Sequence, residues 1–404
     1  MKQGFQLKVV PVVMLAVASM LACARTLAVE PANLQAGPIY FTPTLNADLS
    51  YVDNIFRSAS SERDSWLLEL TPRIQAWAQS GNNTYSLSYQ LQDSTYASFH
   101  DDDFTDHQVN LDIHQEFNAR NVLNLFGEYY DGHEERGTGL TEGDVARLVE
   151  KPVEYDLTTW GGDYTFGSRE SRGRLELAAK TAAYEYQNFR QLTVFRDRDE
   201  DTYSGTFFWK VGQRIDVLGE LRVIRNRYDD TNPGAAAGSL DSDELNYLVG
   251  VNWNATARTS GSVKVGWYDR EFDSASRSDS DGFQWEVDLT YKPRTYSVIN
   301  LGSRRYSQET NTLGDFIDSR ETSFAWDHHW TSRGRSHLSM MFGTDEYSGS
   351  LREDDRRGAE ASYSYQLKRW FDLGLGYRHE TRNSDIRSLD YSYNVYFIEL
   401  ERSL

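Results

Sequence analysis

Cysteine occurs once in the 404 residues, at Cys23, and the chain holds only eight prolines and five methionines. A single cysteine excludes an internal disulfide and thiolate metal centres. Positive charge is also scarce: 42 Lys and Arg stand against 61 Asp and Glu, a formal net charge of -19. The basic surface that nucleic acid requires is therefore missing. Beyond the N-terminal stretch no run approaches the roughly twenty apolar residues of a membrane-spanning helix. Aromatic residues, in contrast, are plentiful, with 25 Tyr, 19 Phe and 10 Trp. They suit a pleated, half-buried surface and point to strands.

The N-terminus places Lys2 and Lys8 before an apolar run from Val9 to Ala22 and then small residues. This is the layout of a secretory signal, expected to be cleaved after Ala24 or after Ala28, with lipidation at Cys23 as the rival reading. Cleavage after Ala24 removes Lys2 and Lys8, taking the charge from -19 to -21, and removes Cys23 as well. Residues 29–404 are then the folded body.

Within that body short turn signals recur, at Gly81-Asn82-Asn83, Asn118 to Asn121, Ser168 to Arg174, Gly212-Gln213-Arg214, Thr256-Ala257-Arg258, Lys292-Pro293-Arg294, Thr331 to Gly334 and Leu367-Lys368-Arg369. Between them apolar and polar residues alternate with period two. Phe283, Trp285, Val287, Leu289 and Tyr291 interleave with Gln284, Glu286, Asp288 and Thr290, for example. Such alternation marks strands with two unlike faces. The segments predict about eighteen strands, near 38–51, 64–78, 83–98, 105–117, 121–133, 154–167, 172–188, 200–211, 214–228, 243–255, 259–273, 281–292, 295–309, 319–330, 335–348, 357–367, 370–381 and 388–402, sixteen being the alternative count. The negative mean hydropathy does not oppose a membrane location, because lipid-facing and water-facing side chains cancel in a barrel. Only a closed barrel can put such strands in lipid, which offers no partner to a sheet edge. The fold expected is an all-β, antiparallel, up-and-down transmembrane barrel.

An even strand count predicts both termini on the periplasmic side, with the eight short turns beside them. The opposite connections are longer and acidic: Asp101 to Asp103, Asp131 to Lys151, Asp197 to Asp201, Asp229 to Asp243, Asp273 to Asp281 and Asp345 to Asp355. Trp209, Trp253, Tyr291, Trp330 and Trp370 flank the short turns, where an aromatic girdle belongs. A soluble sandwich or propeller would also alternate. The signal segment, the long/short rhythm and a polar face charged on nearly every strand oppose it, and no four-strand blade repeat is found.

The inward register carries Asp48, Glu69, Asp112, Glu128, Glu176, Asp216, Glu220, Glu286, Asp288, Asp327, Glu360, Asp372 and Asp390. Interspersed with them are Lys180, Lys210, Arg222, Lys264, Arg270, Arg304 and Arg378. Most of these are expected to brace and solvate the interior, and some to contact a passing hydrophilic solute. The segment from Asp131 to Tyr155, with Gly137, Gly139, Thr141, Gly143 and Val145, is the candidate constriction, folding into the lumen.

Catalytic signatures fail on inspection. His133-Glu134-Glu135-Arg136 lacks the second histidine of a zinc helix. Asp197, Asp199 and Asp201 imitate a calcium loop, but Thr202 replaces its glycine and Phe208 its bidentate acid, which leaves a loop of exposed acids as the plain explanation. His328-His329 and the His100/His107 pair match no catalytic or metal spacing. No cofactor, metal or enzymatic activity is assigned.

Several local features resemble a known family. Tyr51 to Phe56, Leu70-Thr71-Pro72, Leu87-Ser88-Tyr89, His107, Glu128 to Asp131, Glu135 to Gly139 and Tyr155 follow one another in an order similar to that of the β-barrel porins associated with capsule and exopolysaccharide gene clusters. The resemblance is densest over residues 38–165. A terminal Glu401-Arg402-Ser403-Leu404, in place of Phe or Trp, departs from the usual end of bacterial barrels. The resemblance implies an outer-membrane pore, bounded by lipid and lipopolysaccharide, that exports a polysaccharide delivered by a periplasmic export protein. A general or small-solute porin is the first alternative and an adhesive barrel acting through its loops the second.

Overall fold

Period-two alternation leaves each segment with one apolar and one polar edge, and a single continuous sheet is the arrangement that sorts all of these edges at once. The computed structural model describes residues 34–232, 237–254, 258–310 and 313–403. The signal segment with Cys23, and most of the turn expected at Thr256-Ala257-Arg258, lie outside the described residues.

A short strand, β1 (Leu34–Ala36), pairs with the start of β2 (Ile39–Val52). Then follow β3 (Ser65–Ser80), β4 (Asn83–Tyr96), β5 (Phe104–Asn118), β6 (Asn121–Glu134), β7 (Val153–Phe166), β8 (Gly173–Tyr186), β9 (Arg198–Gly212), β10 (Ile215–Tyr228), β11 (Ser242–Trp253), β12 (Thr259–Phe272), β13 (Ser280–Arg294), β14 (Ser297–Gln308), β15 (Ile317–His329), β16 (Gly334–Tyr347), β17 (Glu353–Lys368), β18 (Phe371–Ser384) and β19 (Tyr391–Ser403). Each strand from β2 onward pairs antiparallel with the next. β19 returns to β2, from Val395 opposite Val52 to Ser403 opposite Thr44, and closes an eighteen-strand barrel. Closure satisfies the ladder that an open sheet would leave bare.

The expected strand ends lie within four residues of the observed ones. The largest difference is at β17, where the charged run Glu353-Asp354-Asp355-Arg356 reads as loop but is strand: Asp354 is buried and Asp355 exposed, as alternation requires. The acidic run Asp197 to Asp201 likewise corrects the loop expected there. Asp199 and Asp201 belong to β9, and Asp197 is buried, accepting from the Tyr186 amide and from Arg190. In β3 the ladder to β4 runs Leu70 opposite Asp93 and resumes at Arg73 opposite Gln90. The break falls at Pro72, which has no N–H to donate.

The two faces differ in kind. Along β10, Val217 and Leu221 are 43% and 57% exposed on the outer face, whereas Glu220 and Arg222 are buried on the inner one. Trp66, Trp160, Trp267, Phe207, Leu375 and Ile398 extend the outer apolar band around the ring. Trp209, Tyr291, Trp330 and Trp370 stand exposed at its short-turn margin. Among the described residues no helix is long and apolar enough to cross a membrane.

Candidate functional site: the lumen and the loop over its mouth

Register fixes which side chains share the interior. Asp112 stands opposite Ser86 and Phe126, Glu128 opposite Asn110 and Thr159, and Lys180 opposite Gly161 and Thr202. Together with Glu69, Glu176, Lys210, Asp216 and Arg378 they line a cavity of about 2890 Å³. It runs from the short-turn end, at Gln79, Arg169 and Asn254, up to Gly137, Gly139 and Glu142 at the long-loop end.

Most of the remaining expected lumen residues sit on the same inward parity, and many of them are engaged by a partner of opposite charge. Arg222 donates to Glu220 and, at 2.8 Å, to Glu286, while Lys264 reaches Glu220 at 2.9 Å and Glu286 at 2.7 Å. Two cations and two carboxylates thus close a four-membered network across β10, β12 and β13. Arg270 is 1% exposed and donates to Glu309 and Ser242. Arg304 lies 3.5 Å from Glu321, and Arg378 donates to Glu360 at 3.0 Å. Asp288 faces Ser262 and Gly302. On β15, Asp327 pairs with His337 at 2.9 Å. Asp390 departs from expectation: it falls in the connection between β18 and β19, where its carboxylate accepts the Ser384 amide. The alternation on which its inward placement rested begins only at Tyr391.

The connection between β6 and β7, residues 135–152, does not stand out from the rim. It folds over the opening through two short 3-10 turns, Gly139–Thr141 and Gly143–Arg147. Two glycines permit this path. A Cβ on Gly137 would lie 1.9 Å from the Phe56 carbonyl oxygen, and one on Gly143 would lie 2.8 Å from both Leu389 and the Ser388 carbonyl; both residues have positive φ. Ala146 is fully buried in an apolar cluster with Val52, Ile55, Phe56, Tyr96, Tyr393, Val395 and Phe397. Thr141 is 0% exposed and Val145 40%, so the loop has an inner and an outer side.

Charged contacts fix the loop at its start and near its middle. Near its start Glu135 accepts from Arg57 of the connection after β2, and Arg136 grips Asp102 bidentately. Further on, Glu142 accepts from Arg352 at 2.8 Å and from Arg382 at 2.7 Å. Those arginines belong to β18 and to the turn before β17, six and seven strands from β6 around the ring, so this carboxylate ties the loop to a different wall. Burial pushes the Asp102 carboxyl up despite Arg136. At Glu135 burial acts the same way, but the Arg57 guanidinium, backed by His133 and Arg378, outweighs it and leaves the carboxyl below the ordinary glutamate range.

Arg57, Glu142, Arg352 and Arg382 were not legible in the sequence. Their partners lie 78 to 240 residues away, and no local pattern marks such pairs. The glycine spacing of the loop was the one available signal. Among the described residues there is no group of three or more His, Cys, Asp or Glu that could hold a metal ion.

Solved barrels of similar outline include OpdO of Pseudomonas aeruginosa, at 14% identity over 90% of this chain and 97% of that one, TM-score 0.47. OpdK of Pseudomonas aeruginosa, solved with vanillate, is 12% identical over 90% and 99%, TM-score 0.48. OccAB4 of Acinetobacter baumannii is 9% identical over 90% and 98%, TM-score 0.44. No curated protein matches the sequence. The family model described as Putative beta-barrel porin 2 matches residues 28–403. That match takes in all eighteen barrel strands, and the chain therefore belongs to this porin family, as a porin-type barrel of the outer membrane.

Proposed function

We propose that this barrel conducts small hydrophilic solutes passively, with residues 135–152 as its constriction and the short-turn end, with both termini, in the periplasm. One observation carries the reading: a loop anchored by Glu142 to a second wall lies over the mouth of a wet, charged cavity. Such a cross-strap leaves room for small molecules beside it, whereas a long hydrated polymer calls for an unobstructed bore. The export of polysaccharide implied by the resemblance is therefore the weaker reading, and a periplasmic export partner is not required by the geometry. Inward carboxylates, amides and hydroxyls replace part of a solute's hydration and hold it weakly enough to release it.

Liposome swelling tests the proposal. Vesicles carrying the barrel are expected to swell in isosmotic monosaccharide and much more slowly in tri- and tetrasaccharides. A barrel that folds yet gives no swelling with any solute, or a deletion strain that loses surface polysaccharide while small-solute uptake is unchanged, would overturn it.

A further inference from the structure

The two sides of the lumen neutralise their charge in different ways. On β3 to β7 three inward carboxylates accept from uncharged donors: Glu69 from Gln92 and Ser94, Glu128 from Gln108 at 2.5 Å, and Asp163 from Asn124 at 2.8 Å. An amide or hydroxyl donor orients a carboxylate without cancelling it. On β16 to β18 two inward arginines are matched by carboxylates in ion pairs, Arg356 with Asp345 and Arg378 with Glu360. These are dipoles whose fields fall off quickly. Glu69, Glu128, Asp163, Arg356 and Arg378 all line the same continuous cavity, so a solute passes both sides.

We infer that the pore selects small cations over anions, and that Glu69, Glu128 and Asp163 are its selectivity-determining residues. The inference rests on the conduction reading above. Charge of one sign on a low-dielectric wall concentrates counter-ions along it. The Debye length of about 8 Å in physiological salt confines that effect to the solution nearest the wall. Net negative charge on one side is thus not offset by balanced pairs on the other. Arg73 on β3 and Lys180 and Arg174 on the adjoining β8 reduce the negative charge of this side, and the argument needs only that the carboxylates outnumber the cations.

The test is the reversal potential of the purified full-length barrel in planar bilayers under a tenfold KCl gradient at pH 8. The wild type is expected to pass K⁺ several-fold more readily than Cl⁻, and more selectively in dilute salt than in 1 M. The triple variant Glu69→Gln, Glu128→Gln, Asp163→Asn is expected to bring the permeability ratio at least threefold closer to unity. The double variant Arg378→Gln, Glu360→Gln removes two formal charges but no net charge, and is expected to keep the wild-type ratio. An anion-selective wild type, or a triple variant with unchanged ratio in a barrel that still conducts, overturns the inference. A folded barrel without conductance overturns the conduction reading instead.

Discussion

Glu142→Gln should release the loop from the wall it is tied to. The carboxylate accepts one bond from Arg352 and one from Arg382, whose side chains are 1% and 8% exposed. Breaking a buried ion pair costs about 3–5 kcal/mol when the surviving charge is stranded. Here the loss is smaller, because Arg352 keeps its bidentate grip on Asp354. Arg382 keeps the Leu389 carbonyl at 2.8 Å and the face of the Tyr391 ring at 4.9 Å, while its Nη2 already lacks an acceptor. Roughly 2–3 kcal/mol is therefore the expected penalty on the docked state. At a factor of ten per 1.4 kcal/mol, the undocked share rises roughly thirty- to a hundredfold. Thr141, buried in the docked loop, reports it. Thr141→Cys should react slowly with a membrane-impermeant maleimide in the wild-type background and at least tenfold faster beside Glu142→Gln, with a parallel rise in single-channel conductance. Equal labelling and equal conductance in barrels that both remain heat-modifiable on gels would refute the strap.

Gly137→Val is expected to act in the same direction, since a Cβ there meets the Phe56 carbonyl at 1.9 Å and φ is +90°; protease cleavage within 135–152 of the intact barrel should become detectable. Arg222→Met leaves Glu220 and Glu286 sharing Lys264 alone, and should cost about 3 kcal/mol, read as a lower temperature for loss of the heat-modifiable band. The Glu135 carboxyl is held below its ordinary value, so its stabilising link to Arg57 is complete above the unfolded glutamate pKa and is lost as pH falls through the lower folded one. Conductance should accordingly hold steady from pH 8 to about pH 5 and change only below about pH 4; a transition near neutrality would contradict this. Asp390→Asn, at a carboxylate that caps the Ser384 amide outside the strands, should leave ion selectivity within error of wild type.

The sequence by itself determined the barrel. Alternation is a local property, set by side chains two residues apart, and each strand carries its own copy of the signal. Eighteen segments with their turns therefore specify a ring without reference to distant contacts. The same parity placed Glu128, Lys180, Glu220 and Arg222 on the inward face. Tertiary structure alone decided what those charges do there: that Arg222 and Lys264 are spent on Glu220 and Glu286, and that Glu128 and Asp163 accept from the amides of Gln108 and Asn124. It also decided the course of residues 135–152. Glycines at 137, 139 and 143 made an inward turn possible, but Arg352 and Arg382, more than two hundred residues away in sequence, hold it there through Glu142. Neither the polysaccharide link that the resemblance implied nor the inward place expected for Asp390 drew support from the fold. The physical reason is common to all of these: period and turn chemistry are written within ten residues of chain, whereas pairing across a lumen depends on curvature and closure that exist only once the last strand has met the first.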